Sequence, residues 1–239
     1  AQWWSFIAPF FAANRPVAAI DFSGMGESGH RSGEYGSAVH IPEIKAVLEE
    51  ADLGAHPVVV GHSFGGYMTM SYAYKYGAAL SGAVIIDAAI RPGTEDLDTP
   101  PAAYDRPKRY YSDKKTIVDR YRLMPEQPTN NPFLLDHVAD HSVRKETEGW
   151  TWKFDAAARG AAHYQEPLSD YVRNLPCRKA FIYGAESKFM TPAVLEHMTT
   201  LFGLNDPMIA VPSAHHHLTI DQPIAFVVAL RTILSGWDL

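Results

Sequence analysis

Cysteine is almost absent: Cys177 stands alone in 239 residues. No internal disulfide framework can brace the chain, so a buried core has to hold it. Basic residues are also in deficit, with 21 Lys and Arg against 27 Asp and Glu and a net charge of −6. Such a balance leaves no cationic excess for phosphates and argues against a nucleic-acid partner. No apolar run reaches the roughly 18–20 residues that cross a membrane. Ala1-Gln2-Trp3-Trp4 has neither the basic start nor the apolar run of a secretory leader. Repeats and low-complexity tracts are missing too. What is present is 46% hydrophobic and 12% aromatic content, ample for one large domain, or one domain carrying an insertion. The composition predicts a soluble, cytoplasmic protein.

Short β-branched runs alternate with helix-length segments, the habit of a parallel α/β sheet. Five runs read as buried strands: Val17–Phe22, Pro57–Gly61, Ala83–Asp87, Lys179–Gly184 and Pro207–Val211. Helices are expected over Trp3–Ala13, Ser37–Ala51, Phe64–Tyr76 and Ile224–Leu234. From 91 to 176 the rhythm breaks. This stretch is rich in proline, charge and aromatics, as in Pro100-Pro101, Arg109-Tyr110-Tyr111 and Pro128-Thr129-Asn130-Asn131-Pro132. It offers no convincing strand, only short amphipathic pieces such as Lys114–Leu123 and Phe133–Arg144. At about 85 residues it is too long for a crossover loop, so it reads as a helical cap inserted between core segments 1–90 and 177–239.

The sharpest chemical signal is Gly61-His62-Ser63-Phe64-Gly65-Gly66, directly after Val58-Val59-Val60 and directly before a helix. Strand, tight turn and helix is the setting that a G-x-S-x-G nucleophile requires. The glycines allow a strained turn that thrusts the serine oxygen out at the strand end. The Phe64 N–H then opens a helix, where it can donate to a developing oxyanion.

Serine needs a base to take its proton. The tract His215-His216-His217 follows the last expected strand, and parallel strands bring their C-terminal ends to one edge. Three successive histidines could instead form a metal tract, although neighbours in sequence point in different directions and further ligands would be needed. The imidazole in turn needs an orienting carboxylate. Asp87 and Glu186 both end strands on that edge.

The chain resembles α/β-hydrolase-fold enzymes of the Ser–acid–His type. Asp21-Phe22-Ser23-Gly24-Met25-Gly26-Glu27-Ser28 is similar to the family's D-x-x-G-x-G-x-S segment, and Ser63 stands at its nucleophile elbow. The stretch from Ala214 to Pro223 resembles the usual G-H-x-x-x-x-(D/E)-x-P ending, whose register implies His216 as the base, with His215 the alternative. Gly184-Ala185-Glu186-Ser187 departs from the common G-x-x-D acid site. It is similar instead to an esterase-like subgroup with G-x-x-S there, which takes its acid from the end of the sixth strand. That likeness implies Asp87, with Glu186 as the alternative acid.

The resemblance implies a serine hydrolase cleaving a carboxylic ester or lactone through an acyl-enzyme, with no metal or organic cofactor. A carbon–carbon bond hydrolase, an acyltransferase or a non-catalytic receptor of the same fold remain the alternatives. It also implies three strands ahead of Val17, since Trp3-Trp4 is similar to the segment that follows the family's third-strand loop. About 30–40 further N-terminal residues, or a separate segment, are therefore expected, with a second oxyanion donor in that loop.

The remaining eye-catching residues have plainer readings. His62 is expected to pack or to bond backbone. His137 and His141 are expected on a solvated helix face, and Cys177 buried and inert. Ser23, Gly24 and Gly26 are expected to shape a turn. Trp150, Trp152 and Phe154 are candidates either for an acyl pocket or for the core of the insertion.

Overall fold

The computed structural model describes residues 1–32, 35–93, 108–160 and 166–237. Six strands occur there: β1 (Val58–His62), β2 (Gly82–Ile86), β3 (Val143–Glu146), β4 (Gly149–Trp152), β5 (Arg178–Gly184) and β6 (Met208–Val211). The α-helices are α1 (Pro9–Ala12), α2 (Ser37–Glu50), α3 (Phe64–Tyr76), α4 (Lys114–Val118), α5 (Pro132–His141), α6 (Leu168–Arg173), α7 (Pro192–Phe202), α8 (Leu218–Asp221) and α9 (Pro223–Gly236). Strands β1, β2, β5 and β6 form a four-stranded sheet in that order, every pair parallel.

Alternation along the central strands feeds two faces, because successive side chains of a strand point to opposite sides. Val84, Ile86, Ala180 and Ile182 pack with Ile7, Phe11 and the apolar side of α9, including Phe226, Leu230 and Ile233. Ile85 and Phe181 pack on the other side against Met70 of α3, Val172 of α6 and Met198 and Phe202 of α7. Helices therefore cover both faces, as expected for an α/β-hydrolase core. Every one of these central-strand residues is fully buried, which is why the strands read as continuous apolar runs. Among the described residues no helix is long and apolar enough to cross a membrane.

Two expectations from sequence need correction. Val17–Phe22 has no regular secondary structure and takes no place in the sheet. A strand is a pairing, and its β-branched residues find no neighbour here: Val17 stays 43% exposed. Ala18, Ala19 and Ile20 instead line a cavity of about 1720 Å³ together with Val58, Val59 and Val60 of β1. Strand β1 accordingly has one partner, β2, among the described residues.

The insertion, in turn, contains an antiparallel hairpin, β3 with β4, in the register Val143↔Trp152 to Glu146↔Gly149. The helices beside it are shorter than expected, α4 ending at Val118 and α5 at His141. Chain 108–160 is thus a mixed unit, while Pro100-Pro101 lies outside the described residues. The segment Trp3–Ala13 also divides in two, a helical turn at Gln2–Trp4 and then α1, because Pro9 cannot donate to a preceding turn and starts a new helix.

Candidate active site

Ser63 sits between β1 and α3 with φ 52° and ψ −117°, a conformation that strains a residue bearing a Cβ. Its N–H donates to Ile86 O at 2.9 Å, which locks the turn onto β2. Glycine is obligatory beside it for want of space. A Cβ on Gly61 would lie 2.1 Å from Gly65 O, and one on Gly66 would lie 2.6 Å from Ala88 Cβ. The turn is this tight because α3 packs directly back across β1 and β2.

Asp87 follows the last residue of β2, also with positive φ (45°), and its N–H donates to Ile182 O at 2.8 Å on β5. The loop after β6 brings His216 to the same sheet edge. His216 Nε2 lies 2.9 Å from Ser63 Oγ, and His216 Nδ1 lies 2.7 Å from Asp87 Oδ1. Asp87 is 1% exposed and His216 is 3% exposed. Two more donors reach the carboxylate: Ser187 Oγ–H to Oδ1 at 2.7 Å and Gly184 N–H to Oδ2 at 2.8 Å. Desolvation of this buried carboxylate is thereby offset by three hydrogen bonds. With Nδ1–H donated to Asp87, the lone pair of Nε2 faces Ser63 and can accept its hydroxyl proton.

The alternative residues lie apart from this chain of bonds. Glu186 is 3.7 Å from His215 Nε2, and its side chain is 58% exposed. His215 is engaged elsewhere, its N–H and Nδ1 meeting Asp221 Oδ2 at 2.8 and 3.0 Å. Asp221 thereby pins the histidine loop, a role the sequence did not signal. Ser187 was visible only as a departure from the usual acid motif; its position on Asp87 gives that departure a physical sense.

Two further imidazoles press on His216. The ring of His62 is 4.8 Å from it, centroid to centroid, and that of His217 is 4.7 Å away. His62 Nε2–H donates to the backbone oxygen of His216 at 2.8 Å, and His217 Nε2–H to Met124 O at 3.2 Å. Burial, and then repulsion from neighbouring imidazoles, pulls His62 down to about 4 and His217 down to about 2. Both rings are neutral at pH 7. Among the described residues, His62, His216 and His217 are the group placed to hold a metal ion.

Other expectations resolve locally. Gly24 and Gly26 take positive φ (79° and 54°) in a turn whose Ser23 N–H donates to Glu43 at 3.1 Å. His137 Nε2 meets Ser5 Oγ at 2.9 Å, and its ring lies tilted against that of His141, 4.3 Å between centroids, so the pair packs against the N-terminal segment and does not face solvent alone. Cys177 is half-buried, and desolvation pushes its thiol up to about 11, which leaves it unreactive. Trp152 and Phe154 line the large cavity together with Ser63, whereas Trp150 bonds Tyr111 through its backbone.

Comparison with known proteins agrees with this architecture. The chain is 24% identical over 221 residues to 2-(acetamidomethylene)succinate hydrolase of Mesorhizobium japonicum, covering 91% of this chain and 78% of that one. The crystal structure of E-2-(acetamidomethylene)succinate hydrolase superposes with a TM-score of 0.78 at 21% identity, covering 98% of this chain and 87% of that chain. An esterase from Mycobacterium tuberculosis gives 0.74 at 22% identity, with 98% and 80% covered. A family model described as "Alpha/beta hydrolase family" matches residues 1–230. With the parallel sheet, the serine elbow and that match in hand, the chain belongs to the alpha/beta hydrolase family.

Proposed function

We propose that the chain is a serine hydrolase that cleaves a carboxylic ester or lactone through an acyl-enzyme. Ser63 Oγ attacks the carbonyl while His216 Nε2 takes its proton, and Asp87 stabilises the imidazolium so formed. The Phe64 N–H, at the start of α3, donates to the tetrahedral oxyanion. The tetrahedral intermediate collapses as the bond to the alcohol oxygen breaks and His216 gives its proton to that oxygen, leaving the acyl-enzyme. Water then attacks the acyl carbon with His216 again as base, the bond to Ser63 Oγ breaks, and His216 returns the proton to Ser63 as the acid leaves. The observation that carries this reading is the continuous path from Ser63 Oγ through His216 to Asp87, at 2.9 and 2.7 Å. The insertion 91–176 acts as a cap: Tyr111, Tyr121, Trp152 and Phe154 from it line the cavity that Ser63 also lines. Their aromatic character favours an apolar acyl or alcohol portion.

A second reading is favoured by the name of the Mesorhizobium relative, which acts on an acetamidomethylene-substituted succinate. The same three residues would then hydrolyse a different bond, carbon–carbon cleavage included. Labelling with a fluorophosphonate and turnover of p-nitrophenyl esters test the first reading. Ser63→Ala is expected to abolish labelling and to lower ester turnover by at least about 10³-fold. Unchanged hydrolysis in that variant would show that Ser63 is not the nucleophile. Turnover of the succinate derivative with no ester activity would select the second reading.

A further inference from the structure

We infer that His62, His216 and His217 form a site for one transition-metal cation of the Zn²⁺ class, whose binding reversibly switches the hydrolase off. The inference of inhibition rests on the proposed serine-hydrolase reading; the site itself rests on geometry alone. One ring nitrogen from each residue lies within 4.8 Å of one from each of the others. A tetrahedral zinc with bonds of about 2.0–2.1 Å needs its nitrogens roughly 3.3–3.4 Å apart. Small ring rotations supply that closure, and His62 and His217 line the large cavity through which an ion can enter.

The hydrogen bonds have already chosen the tautomers a metal requires. A backbone carbonyl can only accept, so His62 and His217 each carry their proton on Nε2, donated to His216 O and Met124 O. Each Nδ1 is left with a lone pair. His216 donates Nδ1–H to Asp87 and keeps its lone pair on Nε2. Three imidazoles, each tied by its N–H to a carbonyl or carboxylate, reproduce the outer shell usual around bound zinc, the carboxylate–histidine–metal arrangement included.

One observation is hard to reconcile with a purely structural cluster. His217 is 6% exposed, and its Nδ1 is buried with no hydrogen-bond partner. Buried polar atoms are nearly always satisfied, so an orphaned lone pair beside two further imidazoles marks a place for a ligand that accepts electrons. Imidazole sets of this kind suit Zn²⁺, Cu²⁺ and Ni²⁺ rather than Mg²⁺ or Ca²⁺. A metal there takes the lone pair of His216 Nε2, the same pair that faces Ser63 at 2.9 Å. Ser63 then has no base, and the divalent charge sits beside the Asp87 carboxylate in place of an imidazolium.

Co²⁺ titration of the purified protein, with Zn²⁺ as the competitor and inhibitor, tests both halves. One equivalent of Co²⁺ should bind with the visible absorption of a four-coordinate ion and be displaced by Zn²⁺. Ser63→Ala should retain this binding, and His217→Ala and His62→Asn should each weaken it by at least about tenfold. In the wild type, Zn²⁺ should slow ester turnover and fluorophosphonate labelling at the concentration that displaces Co²⁺. Circular dichroism checks each fold; if His217→Ala does not fold, His62→Asn decides. Absence of Co²⁺ binding, or binding unchanged in the folded histidine variants, overturns the site. Ester turnover with no response to millimolar Zn²⁺ overturns the switch. Metal binding lost in the histidine variants of a protein with no ester activity leaves the site standing and overturns the ester-hydrolase reading.

Discussion

Replacing Asp87 with asparagine tests the proposed acid most directly, and its cost can be worked from the bonds around it. The carboxylate accepts from His216 Nδ1 and Ser187 Oγ on one oxygen and from Gly184 N–H on the other. An asparagine has one oxygen and one NH₂ to place. If the oxygen faces Gly184, the NH₂ faces His216 and Ser187, and His216 must present a lone pair at Nδ1. Its proton then sits on Nε2, and Ser63 has no base. If the amide is turned the other way, two buried donors confront each other at the 2.8 Å separation now spanned by Gly184 N and Asp87 Oδ2. Leaving two donors unsatisfied costs about 1–3 kcal/mol each, or roughly 2–6 kcal/mol for reaching the competent tautomer. At 1.36 kcal/mol per decade that alone lowers kcat by roughly 30- to 2 × 10⁴-fold, and the lost imidazolium stabilisation adds to it. We expect a fall of about 10³–10⁴-fold for Asp87→Asn on p-nitrophenyl acetate, with a thermal melt showing a folded protein. Glu186→Gln should stay within about twofold, since that carboxylate faces His215. A hundredfold loss from Glu186→Gln with near-normal turnover from Asp87→Asn would refute the reasoning.

Three further outcomes follow from neighbouring contacts. Ser187→Ala removes one hydrogen bond to Asp87 and should cost about 3–10-fold in kcat while leaving KM for the ester unchanged. A change confined to KM would show that Ser187 does not act through Asp87. Gly184→Ala would place a Cβ 2.3 Å from His215 O and 2.4 Å from Ala214 O, both backbone atoms. The His216 loop must then move, so the melting temperature should fall by about 2–10 °C and kcat by at least about tenfold; wild-type values for both would contradict that packing. Glu43 is held down at about 2: burial alone would raise it, but hydrogen bonds from Ser23, Arg31 and His40 outweigh burial. Its folded value lies below its unfolded one, so the ionised form stabilises the fold above about pH 4.5, and that contribution is lost as the pH falls through about 2. After solvent screening this amounts to about 1 kcal/mol. Urea unfolding of Glu43→Gln should therefore approach the wild type as the pH drops from 5 to 3, and a constant gap would sink the assignment.

The legibility of the sequence differed from element to element. The elbow could be read because steric demand fixes both its glycines and its flanks: Gly61 and Gly66 have no room for a Cβ. The buried strands β2 and β5 could be read because both of their faces are covered. Val17–Phe22 misled because β-branched composition reports a preference, while pairing depends on a neighbour that local sequence does not encode. The β3–β4 hairpin escaped notice because Arg144, Lys145 and Glu146 look helical. The alternation in Gly149-Trp150-Thr151-Trp152 after a two-residue connection was its available signal. As strand-end carboxylates Asp87 and Glu186 looked alike, and only the likeness of Gly184-Ala185-Glu186-Ser187 to a G-x-x-S loop favoured Asp87; in the structure Asp87 meets His216 Nδ1, while Glu186 faces His215. The orphaned His217 nitrogen had no sequence signal, since it depends on which way one ring faces.

The chain separations within the site have a kinetic consequence. Ser63 and His216 are 153 positions apart, Asp87 and His216 are 129 apart, and Ser187 and Asp87 are 100 apart. Strand β2 cannot pair with β5 until the whole insertion has been looped out between them. Local helices form early, and the long loops close late because their entropy must be met before any contact rewards it. The candidate site is therefore expected to assemble late in folding. On refolding from urea, far-UV ellipticity should return before fluorophosphonate reactivity does, and the interval between them measures how long the molecule exists as a nearly complete fold without chemistry.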